Sequence, residues 1–532
     1  MVAYCLRMHA MANFGRRALV TGLAATPLLR PARAADQPTR RRTLILGLDI
    51  GDTVTFDPAR QIDYTPPLTL VACYDTLVTL TPGHYQAVAP SLAEYWERTP
   101  DARGWRFTLR ADAVFATGNR VTPDDVAFSL ARLLAIGNPP ARYLDAIADI
   151  QPSGPDSVDV VLKDPDRPLL PYLASPPFAI LEKAVLDSQN GSESAWLSQN
   201  SAGSGDYVLR AWQKRDHILL DANPHAWRGA PAYDRILIRH IPDSTAQMRA
   251  LQRGDIDVAF NLLPTQLDQL QTDGTLRIET SRSLDLVYLA LTADPSHNQA
   301  LAQRPARQAI AAAIDYDDLI GRMLGAKATR PASFLPIGLL GSTAGTASGF
   351  RQDLDGARAL LAQAGRPDGF TFDLAYADAA IAGLPYDTIA RKLRTDLARV
   401  GIAVTPVAMN PYAFRDAYFA GKLQAALAFW TSPVVANGFW ARVATERLGG
   451  RVAMAVNPAL ADLIARAETE TDAEAQRGLW LDYQKAMVSI AQEIVLFQPE
   501  YQVAISRAVA TFPLTAAGWM ADLAAAQPAT RP

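Results

Sequence analysis

The chain has 532 residues, 49% of them apolar and 20% charged, with a formal net charge of −3. At roughly one domain per 150 residues this length suggests about three or four units, and the ordinary composition excludes a disordered or fibrous protein. The mildly acidic balance argues against a nucleic-acid partner.

In chain order, the first 34 residues read as a cleaved signal peptide. Arg16-Arg17 precede an apolar run from Ala18 to Leu29, and Ala32 to Ala34 form an Ala-x-Ala cleavage pattern. The run, about 12 residues, is too short to span a bilayer. The paired arginines resemble a twin-arginine signal, with an ordinary Sec signal as the alternative. Removing this leader leaves 46 basic and 54 acidic residues, a net charge of −8. No later run reaches about 18 unbroken apolar residues, so no transmembrane helix is expected. Cys5 falls in the leader and leaves Cys73 alone, so no intramolecular disulfide is expected in the mature chain. Neither cysteine ends the apolar run, which argues against a lipid anchor. Cys73 itself reads as a small buried hydrophobe.

Arg42 to Asp49 opens the mature chain as an apolar strand, and Leu68 to Leu80 is a second apolar stretch. Trp105 to Arg110 alternates in the manner of a half-buried strand. Thr122-Pro123-Asp124-Asp125 starts a helix, with Thr122 as N-cap, proline at the first position and acids in the first turn. Asp156 to Leu162 is another alternating strand, Leu169 to Phe178 is proline-rich and irregular, and the Ser/Gly/Asn-rich segment 190–205 reads as a domain connection. Strands follow at Tyr207 to Trp212, His217 to Asp221 and Arg235 to Ile241. Asp243-Ser244 caps a helix that Gly254 stops, and Ile256 to Phe260 follows as a strand. Leu284 to Thr292 is a strand expected to cross between lobes. Helices are expected at 304–324, 353–364 and 386–400, with strands at 370–376 and 402–407. Ala413 to Ala420 is a helix stopped by Gly421, and Leu423 to Phe429 is a short buried strand that breaks at Trp430-Thr431-Ser432-Pro433. This unit has the same layout as 250–260, helix, glycine, strand, and suggests two similar α/β lobes. Two helices, 459–468 and 472–490, then lead to strands at 493–497 and 501–505. The tail from Ala508 reads as peripheral.

Several motifs run together in order: PSLAEYWE (90–97) with Trp105 to Arg110 and Phe115-x-x-Gly118, TPDDVAFS (122–129), GSGDYVL (203–209), ANPHAWRGAP (222–231), ALQRGDIDVA (250–259), RQAIAAAID (307–315) and ARALLAQAG (357–365). With these the chain resembles the family 5 extracellular solute-binding proteins of ABC transporters, the peptide- and nickel-binding group. The resemblance implies an α/β, two-lobed periplasmic binding protein fold of class II, cluster C type, with a third lobe inserted in lobe I. Lobe I would comprise 35–80, 200–290 and 488–532, lobe II the insert 81–199, and lobe III 291–487. It implies an exported, soluble, monomeric periplasmic receptor without cofactor. Ligand would be enclosed by hinge closure and delivered to a membrane permease and ATPase complex.

In open α/β sheets ligands bind beyond the carboxyl ends of strands. That places Trp430, Thr431 and Ser432 first among ligand-binding candidates, where the resemblance puts the family's ligand loop. Tyr74 and Asp75, at the end of an expected lobe I strand, come next, followed by Tyr288, Tyr386, Asn437 and Trp440. Peptide binders of the family usually carry an aspartate just after the Trp. Here Thr431 to Trp440 contains no acid, and an ammonium buried without a carboxylate would be poorly compensated. Capture of a free amine at that spot therefore needs Asp75 or another acid. His9, His84, His217, His225, His240 and His297 show no metal-ligand spacing. The enzyme alternative, a periplasmic hydrolase acting on a small solute, lacks Gly-x-Ser-x-Gly, Ser-x-x-Lys and His-Glu-x-x-His motifs.

Overall fold

The computed structural model describes residues 42–530 apart from 62, 82–83, 138–140, 142–145, 165–167, 346–348, 382–383, 433 and 446–456. The expected signal peptide lies outside the described residues. Residues from Arg42 onward form one compact unit, and among the described residues no helix is long and apolar enough to cross a membrane.

A large mixed sheet organises the molecule. From one edge its strands run Ala403–Met409, Thr371–Ala377, Ala425–Trp430, Leu286–Leu291, Glu493–Ser506, Val258–Ala259, Thr43–Leu48, Arg235–His240, His217–Ala222 and Tyr207–Gln213. The order is nearly palindromic about its centre. In one half, Thr43–Leu48 lies parallel to both Arg235–His240 and Val258–Ala259, and the latter meets Glu493–Ser506 antiparallel. In the other half, Thr371–Ala377 lies parallel to both Ala403–Met409 and Ala425–Trp430, and the latter meets Leu286–Leu291 antiparallel. The two halves join where Leu286–Leu291 pairs antiparallel with Glu493–Ser506. The matching helix–glycine–strand layouts are thus equivalent positions in two like halves. Both helices, Ser244–Arg253 and Pro411–Phe419, are capped by a polar side chain, Asp243 and Asn410 respectively. Gly254 (φ 74°) and Gly421 (φ 66°) turn the chain through the left-handed region from helix to strand.

Glu493–Ser506 is one continuous strand, where two separate strands are expected from sequence. Pro499-Glu500 looked like a break because proline cannot donate to a ladder. The short strand Ala328–Thr329 pairs at Pro499 and Gln498 instead, and Leu276–Arg282 pairs from Glu500 onward. The junction between the halves is pinned by side chains. The Gln498 amide donates to the Ser283 carbonyl at 2.5 Å, and Ser283 Oγ donates to the Pro499 carbonyl at 2.5 Å.

A separate four-stranded antiparallel sheet, Ala93–Arg98, Gly104–Leu109, Ser157–Leu162 and Ile147–Pro152, is covered by helix Pro123–Ile136. That helix starts with the expected Thr122 cap, reinforced by Asp125 as a capping box. Phe107, Val160 and Leu130 of this unit share one hydrophobic cluster with Leu286, Tyr288, Ala428 and Trp440 of the large sheet. The opposite face of the central strand pair, Val287 and Leu289, packs with Ile389, Leu393 and Phe429.

Two further expectations are corrected. The stretch before Tyr74 is not a strand but helix Pro66–Cys73. Seven of its eight residues are buried, so it carries no polar face by which a helix could be told from a buried strand. Its prolines occupy the first positions, where no backbone donor is needed. Asp52 receives the amides of Tyr64 and Thr65 at 2.9 Å each just before it. The C-terminal tail is also not peripheral. Phe512, Ala517, Met520 and Leu523 are buried, and Ala516 accepts the Leu284 amide at 3.0 Å.

Candidate functional site

The carboxyl ends of the parallel strands in both halves face a common region. The loop after Thr43–Leu48 reaches across to the other half. The Tyr64 ring packs edge-on against Phe429 at 5.4 Å, and Arg415 approaches Asp63 at 3.9 Å. At this meeting point Asp285 stands directly before Leu286–Leu291. Leu286 pairs with Trp430 in the ladder, so the next rung sets Asp285 beside Thr431.

Asp285 is 2% exposed, and burial pushes its carboxyl up to about 7. Tyr64 Oη donates to Asp285 Oδ2 at 3.5 Å, a weak bond. The hydroxyls of Thr431 and Tyr501 lie close enough to favour the ionised carboxylate. By strict geometry, however, neither oxygen makes a hydrogen bond among the described residues, and nor does Asp285 Oδ1. Trp430 Nε1 is likewise buried without a partner there. Unpaired buried polar atoms are uncommon because each forfeits its hydration. Three of them, on the Asp285–Thr431 rung and the adjoining strand, mark a place where polar groups are held ready rather than satisfied. Two further acids flank the cluster. Burial raises the Asp52 carboxyl, and burial followed by the neighbouring Asp52 raises Asp63 to about 6. Arg415 is the cation that faces Asp63.

Thr431 therefore sits at this cluster, whereas Trp430, one residue earlier on the other face of the strand, packs tilted against Phe439 at 6.3 Å. Ser432 is 2% exposed, and its Oγ accepts the Val434 amide at 2.9 Å, closing the turn after the strand. The other candidates are engaged elsewhere. Tyr74 Oη accepts the Ala202 amide at 3.3 Å, and its ring fills the space against Gly203. Asp75 accepts from Ser204 Oγ (2.8 Å), Trp227 Nε1 (2.9 Å) and Arg228 Nη2 (2.5 Å). It is a satisfied buried carboxylate rather than the substitute acid that an amine would need. Tyr288 shares its hydroxyl with Tyr418 at 2.6 Å and packs edge-on against Phe334. Tyr386 is buried at the start of helix Tyr386–Ala398. Asn437 Nδ2 donates to the Leu340 carbonyl at 2.7 Å. Trp440 is wholly buried and donates to the Val434 carbonyl at 3.2 Å. Cys73 is buried, which pushes its thiol up to about 12 and keeps it unreactive.

Asp285, Tyr64 and Tyr501 are absent from the sequence-derived candidates. A signal did exist for Asp285: it interrupts the apolar run Leu284 to Thr292, where an acid has no packing reason to be. Tyr64 lies in a loop whose reach across the molecule cannot be read locally.

The model of the bacterial extracellular solute-binding proteins, family 5 (middle region), matches residues 87–441. The chain is similar to the probable D,D-dipeptide-binding periplasmic protein of Escherichia coli (strain K12). The two are 29% identical over 478 residues, which is 88% of this chain and 91% of that one. Among solved structures it resembles the dipeptide-binding protein of Pseudoalteromonas sp. SM9913 in complex with Met-Leu. That match has a TM-score of 0.81, 19% identity, and covers 92% of this chain and 100% of that one. A periplasmic binding protein from Helicobacter pylori in complex with the peptide STSA gives a TM-score of 0.77 at 23% identity, covering 88% and 95%. These likenesses agree with the two-halved sheet described above, a two-lobed binding-protein architecture. The chain belongs to the bacterial extracellular solute-binding proteins of family 5.

Proposed function

We propose that this protein is the exported receptor of an ABC importer and captures a peptide or peptide-like small solute between its two lobes. The observation that carries the reading is the buried polar cluster at the junction of the halves. Asp285, Thr431 and Tyr501 offer hydrogen-bonding atoms that the described residues leave unmet. The E. coli relative, named for D,D-dipeptide binding, supports a short peptide-like ligand. In this reading the half containing Thr43–Leu48 and Arg235–His240 is lobe I, the four-stranded unit belongs to lobe II, and the half containing Thr371–Ala377 is lobe III. The strands at the junction act as the hinge, and Tyr64 on Phe429 together with Asp63 on Arg415 form the closing contacts. Ligand would then pass to a membrane permease and ATPase pair, with the receptor acting as a monomer and without turnover.

Titration of ligand-stripped protein with a panel of short peptides, followed by tryptophan fluorescence, tests this. One equivalent should saturate the change, and the peptide should be recovered intact. Catalytic consumption of the peptide would restore the hydrolase alternative.

A further inference from the structure

The solute-capture reading leaves the charge of the ligand open, and the cluster at the junction bears on it. The loop after Trp430 has no acid through Trp440, and Asp75 is consumed by Arg228, Trp227 and Ser204. Asp285 is the acid that reaches the same place from the opposite strand, one rung beyond the Leu286–Trp430 pair. It is 2% exposed, with Oδ1 unpartnered among the described residues. Among the described residues no cation pairs with it, whereas the buried Asp57 and Asp75 each hold an arginine. The Thr431 and Tyr501 hydroxyls face the same carboxylate, and by strict geometry neither makes a hydrogen bond among the described residues. An ammonium has three N–H donors and no acceptor. A buried carboxylate without a counter-cation is poorly compensated, so a cationic ligand repairs what the empty cluster lacks.

Resting on the solute-capture reading, we propose that the ligand carries a primary ammonium group and that Asp285, on the hinge strand, is its anchor, with Thr431 and Tyr501 accepting the remaining N–H donors. Asp285 thus takes from the hinge the role that the loop after Trp430 cannot fill. It also ties ligand charge to closure, because Tyr64 of the other half touches the same carboxylate.

The test is a binding panel on ligand-stripped protein. It would contain free-amine di- and tripeptides, the same peptides N-acetylated, and neutral sugars and carboxylic acids. Binding is expected from free amines, with N-acetylation costing about thirtyfold or more, the usual scale for unpairing a buried charge. Asp285→Asn should lose the same factor towards free amines while its circular dichroism and melting cooperativity stay intact. Asp285→Glu should recover part of it. Equal binding of free and acetylated peptides would overturn the proposal, as would an unchanged affinity in Asp285→Asn. Binders found solely among sugars or acids would overturn it while leaving solute capture standing. A panel with no binder in any class would count against both.

Discussion

Asp285 makes a prediction about the empty protein that needs no ligand. Its carboxyl rises from the ordinary 3.8 to about 7 because burial penalises the charged form. Each tenfold change in proton affinity corresponds to about 1.4 kcal/mol, so holding Asp285 ionised costs the folded protein about 4 kcal/mol. The folded state binds this proton more tightly than the unfolded chain. Below about pH 4 both states are protonated and nothing is lost. Stability then falls as pH rises from about 4 to about 7, and the full loss is present above that. Asp285→Asn removes the titration. The amide brings its own cost of about 1–3 kcal/mol for buried unpaired groups, but that cost does not vary with pH. The stability difference between variant and wild type should therefore move in favour of the variant by about 3 kcal/mol between pH 4.5 and pH 8. With about 2.1 cal/mol/K of unfolding entropy per residue, a chain of this length shifts by about 1 °C per kcal/mol. The melting-temperature difference should accordingly move by about 3 °C. Asp52, Asp63, Tyr64, Tyr501 and Arg415 are common to both proteins, so their titrations cancel in the comparison. Thermal melts of stripped wild type and variant across that range measure it. Parallel curves would refute the placement of Asp285 as an unpaired buried carboxyl.

Other substitutions separate ligand contacts from structural ones. Trp430→Ala should weaken binding about tenfold with the fold intact, the usual effect of losing an aromatic anchor; an unchanged affinity by calorimetry would remove Trp430 from the site. Asp75→Asn should lower stability by about 2–3 kcal/mol, since Arg228 is left half-buried without its partner. The ligand affinity of the folded fraction should not change, and a selective loss of affinity would return Asp75 to the site. Gly205→Ala should lower stability by about 1–3 kcal/mol or more, because its Cβ would stand 2.5 Å from the Ala72 carbonyl oxygen. A denaturation midpoint equal to wild type would contradict that packing.

Local signals placed most elements correctly. Thr122 and Asp243 each accept a backbone amide at the helix start where the sequence suggests a cap, because capping is settled within one turn. The repeated helix–glycine–strand layout correctly hinted at two like halves. What failed depended on distant partners. Pro66–Cys73 is apolar on all sides, so periodicity had nothing to report. Pro499 interrupts a strand that survives because different neighbours pair on either side of it. The end of the strand at Trp430 and Thr431 was legible from the sequence. Tyr288 and Trp440 carry the right chemistry but turn into the core. Asp285 emerges only when Leu286 and Trp430, on strands far apart in the chain, are set in register.

The protein is proposed to capture an amine-bearing solute stoichiometrically and without chemistry. The most direct measurement is mass spectrometry of small molecules released from protein purified under native conditions from the exported fraction. The recovered molecule is then returned to stripped protein. The account predicts about one solute per chain, carrying a basic amine, rebinding one-to-one and recovered unchanged after prolonged incubation. A solute that the protein converts to product, or one with no amine that saturates the cluster and leaves Asp285→Asn indifferent, would contradict it.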